Sequence, residues 1–82
     1  MSYTVTNFKT KRALKEAVAN HLAGVKPTLT TLQHGVMCFN PGLGPDLSNF
    51  TGKVYLEGPH YPAAHTWYAE AELKNGVVVK VK

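Results

Sequence analysis

WYAEAELKNGVVVKVK, residues 67–82, holds two strands and the turn that joins them. Trp67, Ala69, Ala71 and Leu73 alternate with Tyr68, Glu70, Glu72 and Lys74, the period of two expected of a strand with one buried face. Asn75-Gly76 follows as a hairpin turn signal, and Val77–Lys82 supplies the return strand. A two-residue Asn-Gly loop would set Glu72 opposite Val79 and place carboxylates on the valine face. A three-residue loop, Lys74-Asn75-Gly76, with glycine in the left-handed position of a bulge, pairs Leu73 with Val77, Ala71 with Val79 and Ala69 with Val81. It also sets Glu70 opposite Lys80, an attractive cross-strand pair. The spacing therefore predicts a bulged hairpin over about 66–82.

Working back along the chain, Lys53–Gly58 (KVYLEG) reads as another strand, with Val54 and Leu56 inward and Tyr55 and Glu57 outward. The prolines of 59–65 (PHYPAAH) favour an extended connection. Near the start the period changes. Apolar residues at 13, 14, 17, 18 and 22, with His21 on the same side, predict one amphipathic helix over about 11–23. Thr10 is suited to cap it, and Gly24 followed by Pro27 to stop it. Tyr3–Thr6 (YTVT) reads as a short first strand with Tyr3 and Val5 on one face. Between helix and third strand, Thr28–Gln33 and Val36–Phe39 are strand candidates, and the Pro/Gly-rich stretch 40–46 is a surface loop. Residues 46–51 have room for one helical turn at most.

The resulting expectation is a single α+β domain over residues 1–82. It has two layers in the order β-α-(β)-β-β-β, with the helix face of Leu14, Val18 and Leu22 covering a mainly antiparallel sheet. Val54, Leu56, Ala69, Ala71, Val77, Val79 and Val81 form the covered face. A chain of 82 residues buries about 60% of its unfolded surface, enough for one modest core. The apolar share of 44% and charged share of 17% are those of a folded chain. Cys38 is the only cysteine, so no internal disulfide is available and a reducing, cytoplasmic setting is expected. No run is long enough to span a membrane, and the N-terminus lacks the apolar stretch of a signal peptide.

GKVYLEGPHYPAAHTWYAEAELKNGVVVKVK, together with NFKTKRALKEAVA near the start, resembles short proteins of phage and prophage genomes that carry a GPHYP…H.WYA segment and a valine-lysine tail. The resemblance implies a host-cytoplasm setting. It brings no activity, cofactor or catalytic residue with it.

Charge is unevenly placed. Residues 1–27 net +4, residues 28–52 net −1 and residues 53–82 net +1. Lys9, Lys11, Arg12 and Lys15 stand at or before the first helical turn, where acidic residues are normally preferred. An anion would relieve their repulsion, so a phosphate or nucleic-acid contact is one reading. The plainer one is a solvated face partly offset by Glu16.

His60, Tyr61, His65, Trp67 and Tyr68, with Tyr55 on the neighbouring strand, could form a stacking platform for bases or a shallow ligand pocket. Alternation assigns Trp67 to the core and Tyr68 and Tyr55 to the outer face, while His60-Tyr61 between prolines suits a structural corner. His34 with Cys38, and His60 with His65, are the arithmetic of a zinc site. In a strand, however, His34 and Cys38 would stand roughly 13 Å apart, and Cys38 is more simply a buried hydrophobe. A Cys-His nucleophile pair lacks any neighbouring oxyanion site.

The function expected is that of a small non-enzymatic binding module, phage-derived if the resemblance holds. It would contact nucleic acid or an acidic protein surface through Lys9, Lys11, Arg12 and Lys15, with Tyr61 and Tyr68 as stacking groups. No cofactor, catalytic residue or membrane partner is expected. The rival is an inhibitor or accessory subunit binding by an exposed sheet edge near Val77–Val79 or by the 40–46 loop. A zinc- or ligand-binding protein is a third reading.

Overall fold

The computed structural model describes residues 2–27, 32–40, 46–60 and 63–82. Thr10 is extended, and its hydroxyl accepts a hydrogen bond from the Ala13 amide at 3.1 Å. That cap opens helix α1, Lys11–Leu22, with Ala23 as its C-cap. Gly24 follows at φ +78°, a left-handed stop without a Cβ penalty. Leu14 and Val18 face inward and are buried, but Leu22 is 58% exposed. Each four-residue step turns the stripe by about 40°, so at Leu22 it has swung about 80° from Leu14 and left the sheet. The apolar face expected over three turns therefore ends one turn early.

Five strands accompany the helix: β1 (Tyr3–Thr4), β2 (Cys38–Phe39), β3 (Gly52–Gly58), β4 (Trp67–Lys74) and β5 (Val77–Val81). They form two antiparallel sheets, β1-β2 and β3-β4-β5, and the α+β class and element order agree with expectation. Two bridges join the sheets. Ser2 pairs in parallel with Leu56, its amide donating to the Tyr55 carbonyl at 2.8 Å, and Met37 pairs with Val77 in antiparallel sense. The strands thus follow one another around a ring, β3-β4-β5-β2-β1 and back to β3, rather than lying in one open sheet.

The first strand is shorter than YTVT and turned over. Thr4 is buried and Val5 is 47% exposed, because the Thr4 hydroxyl donates to the Thr6 carbonyl at 2.7 Å and bends the chain after two pairs of ladder partners. Val36–Phe39 is extended as expected, with its regular strand confined to Cys38–Phe39. Leu32–His34 make a turn instead of continuing a strand, while residues 28–31 and 41–45, which carry the rest of the strand candidate and most of the Pro/Gly loop, lie outside the described residues. Residues 48–49 form a turn with no helix.

The C-terminal hairpin corrects the expected register. Asn75 and Gly76 both adopt positive φ, +51° and +83°, the backbone of a two-residue type I′ turn. Lys74 pairs with Val77 and Leu73 with Val78, after which the register shifts so that Glu72 pairs with Lys80 and Ala71 with Val81. The extra residue is Val79. The bulge that keeps carboxylates off the core sits within β5, not at the turn, and the wholly buried valine is Val78. Glu70 is accordingly not opposite Lys80. It exchanges backbone hydrogen bonds with Lys82 and faces the Lys53 ammonium at 3.5 Å. β3 is as expected, with Val54 and Leu56 in the core and Tyr55 outside.

The core joins Leu14 and Val18 of the helix to Leu56, Ala69, Ala71, Leu73 and Val78 of the sheet, with Phe8, Val36, Cys38 and Trp67 closing its ends. Two glycines are required by what touches them. A Cβ on Gly58 would stand 2.2 Å from Cζ2 of the buried Trp67 ring, and one on Gly76 would stand 2.0 Å from the Ser48 carbonyl oxygen. Alanine at either position should lower unfolding free energy by about 2 kcal/mol or more, through overpacking at Gly58 and left-handed strain with a backbone clash at Gly76. Leu14→Ala should cost about 2–5 kcal/mol, all three measurable by urea unfolding.

Candidate functional site

Lys9, Arg12 and Lys15 are exposed and Lys11 half-buried around the capped start of α1, whose first turn holds no acidic residue. Arg12 Nε lies 3.2 Å from Glu16 Oε1, one helical turn on, with both side chains largely in solvent. Such an exposed pair holds its partners weakly. Lys9, Lys11 and Lys15 have no carboxylate partner among the described residues. The four expected cations therefore do share one end of the molecule.

A second cluster forms where β1, β2 and the end of β3 meet. Tyr3 and Phe39 are register partners with ring centroids 5.8 Å apart. The His60 ring stands nearly perpendicular to both, at 6.2 Å from Tyr3 and 6.1 Å from Phe39, and His65 lies 5.7 Å from Tyr3 on another side. The Tyr3 hydroxyl donates to Glu57 Oε1 at 2.7 Å, and His65 Nδ1 faces the other carboxylate oxygen at 3.5 Å. His60 Nε2 lies 2.7 Å from the Thr4 carbonyl. A carbonyl only accepts, so that nitrogen carries a proton and His60 keeps Nδ1 as its other site. Beside the cluster, the Ser2 hydroxyl donates to the Asn40 side-chain carbonyl.

The sequence-predicted aromatic residues divide as follows. Trp67 is in the core, as alternation required, with its indole N–H donated to the Phe8 carbonyl at 2.9 Å. Tyr68 and Tyr55 point outward from β4 and β3 and are 56% and 55% exposed. Tyr61 lies outside the described residues. His60 and His65 are brought to one ring, that of Tyr3. Tyr3 and Phe39 carry no sequence signal for this cluster, because they meet His60, His65 and Glu57 only through contacts between distant parts of the chain.

The metal-ligand pairs do not assemble. Among the described residues no three His, Cys, Asp or Glu side chains gather as a metal-holding group. His34 is exposed in the Leu32–His34 turn, and Cys38 is buried. Burial pushes the Cys38 thiol up to about 12, so it stays protonated and is neither a ready ligand nor a nucleophile. No helix among the described residues is long and apolar enough to cross a membrane.

Comparison of the chain with protein-family models, with curated proteins and with solved structures finds no match.

Two titrations test this geometry. The hydrogen bond to Glu57, then burial and the carboxylate charge, raise the Tyr3 phenol above the ordinary tyrosine value. An ultraviolet titration should show a tyrosinate transition above the normal range that is lost in Tyr3→Phe. For Cys38 the folded pKa lies above the unfolded one, so the thiol's contribution to stability is complete below the ordinary thiol range. It is lost as pH rises towards about 12. Denaturant unfolding across that window should show a steeper alkaline loss in the native protein than in Cys38→Ala.

Proposed function

We propose that this domain is a small non-enzymatic binding module whose partner is nucleic acid, held through its phosphates by Lys9, Lys11, Arg12 and Lys15. The carrying observation is the concentration of cations at one helix entry with no acidic residue in the first turn and a single, solvent-exposed ion pair. Phosphate contacts of this kind release condensed counterions, and they suit an exposed surface because they need no enclosed pocket. A host-cytoplasm setting, as for the phage proteins that the sequence resembles, would supply such a partner.

An acidic protein surface is the neighbouring possibility for the same cations, and salt dependence separates the two. Strand addition at Val77–Val79 is less well supported. The Val78 amide donates to the Val36 carbonyl at 2.8 Å and Met37 bridges to Val77, so that part of the β5 edge is occupied.

Binding to a generic oligonucleotide, followed by fluorescence anisotropy between 50 and 200 mM salt, should give a log–log slope of about −3 for four phosphate contacts. The double substitution Lys11→Glu/Arg12→Glu should weaken binding by about tenfold or more and flatten the slope by about 2. No binding at about 50 mM salt would refute the nucleic-acid reading.

A further inference from the structure

We infer that the preferred partner is single-stranded nucleic acid, with bases stacking on an outward aromatic surface that runs across four adjacent strands. This rests on the phosphate-binding reading above and names the strand state which that reading leaves open.

The surface is traced by pairings. Phe39 of β2 is the register partner of Tyr3 of β1, and the Tyr3 hydroxyl bonds to Glu57 of β3. Glu57 is in turn the register partner of Tyr68 of β4, with Tyr55 on the diagonal. His60 and His65 flank Tyr3. Phe39, Tyr68 and Tyr55 are 40%, 56% and 55% exposed, large rings left in water on one continuous stretch of the ring of strands.

Charge decides the occupant. The carboxylates on this surface have partners beside them: Glu57 accepts from the Tyr3 hydroxyl and has His65 Nδ1 at 3.5 Å, Glu70 faces Lys53, and Glu72 stands across from Lys80. Cations with no carboxylate partner among the described residues follow close along the chain. Asn7 Oδ1 accepts from the His60 amide at 2.9 Å, and Lys9 follows two residues later, leading into Lys11 and Arg12. Exposed rings with a run of cations close along the chain match a polyanion whose flat faces are free. A duplex hides those faces in its stack, whereas a single strand offers them, and each base stacked on an aromatic ring strengthens binding without regard to sequence.

The experiment compares oligothymidylate with a duplex of equal length, using the full chain, Phe39→Ala, Tyr68→Ala, Phe39→Leu, Phe39→Trp and Lys11→Glu/Arg12→Glu, each checked for a native-like thermal transition. The single strand should bind about tenfold more tightly than the duplex, and each alanine variant should lose about tenfold on the single strand and little on the duplex. Phe39→Leu, which keeps apolar volume without a ring, should behave like Phe39→Ala, and Phe39→Trp should restore binding. Equal affinity for both probes, insensitive to Phe39 and Tyr68 but abolished by the charge reversals, would overturn the stacking inference and leave the phosphate reading standing. Absence of binding to either probe at about 50 mM salt would overturn both.

Discussion

Trp67 donates its indole N–H to the Phe8 carbonyl from within the core, and that bond joins the helix entry to the sheet. Unpaired, a buried N–H would cost about 1–3 kcal/mol. Satisfied, it ties the chain that enters α1 to the first residue of β4. The ring needs the space that Gly58 leaves by having no side chain, so the end of β3 is drawn into the same junction. One turn of chain later the His60 amide meets Asn7, a second tie between the same two segments. The helix start, with its cations, is thereby held against the end of the barrel-like ring at which Tyr3, His60 and His65 gather.

Closure of that ring explains why so small a sheet holds together. A three-stranded sheet alone exposes two edges. Here the β3 edge is met by Ser2, and part of the β5 edge by Val36 and Met37, so short segments from the first half of the chain cap the second half. The caps are brief because each needs only to satisfy a few backbone groups. Their side chains then do different work. Thr4, Val36 and Cys38 enter the core, whereas Tyr3 and Phe39 point outward and build the aromatic surface. Pairing on the edge and exposure of the rings are one arrangement seen from its two faces.

What could be read from sequence was whatever is local. Thr10, the three- and four-residue spacing and Gly24 specify the helix without reference to the rest of the chain. Likewise the alternation in 53–58 and 67–74 specifies which side chains face the core. The place of the bulge escaped because Val77, Val78 and Val79 are equally apolar, so no polarity marks which of them is the extra residue. The choice is made from outside the hairpin. The Gly76 amide donates to the Phe50 carbonyl, the Asn75 amide to the Thr51 hydroxyl and the Val78 amide to the Val36 carbonyl, and these bonds seat the two-residue turn. The outer ring cluster escaped for the same reason. Tyr3, Phe39, Glu57 and His60 come from separate parts of the chain, and only ring closure brings them together. The basic helix entry, a local feature, was visible from spacing alone.

The division of charge follows from the same geometry. A carboxylate placed on a sheet has cross-strand neighbours within reach: Glu57 bonds Tyr3, Glu70 faces Lys53, and Glu72 stands opposite Lys80. A lysine preceding or opening a helix has only its own turn to interact with, and here that turn contains no acid. The chain's positive excess is therefore left at the helix entry by topology as much as by composition. In the proposed interface the two halves then respond differently to their surroundings. The cations contribute attraction that weakens steeply with salt, while ring stacking draws on buried contact area and does not. A site that used only Lys9, Lys11, Arg12 and Lys15 would be an electrostatic landing point with little grip at physiological ionic strength. In the proposed complex the aromatic surface is what holds a strand after screening has reduced the charge.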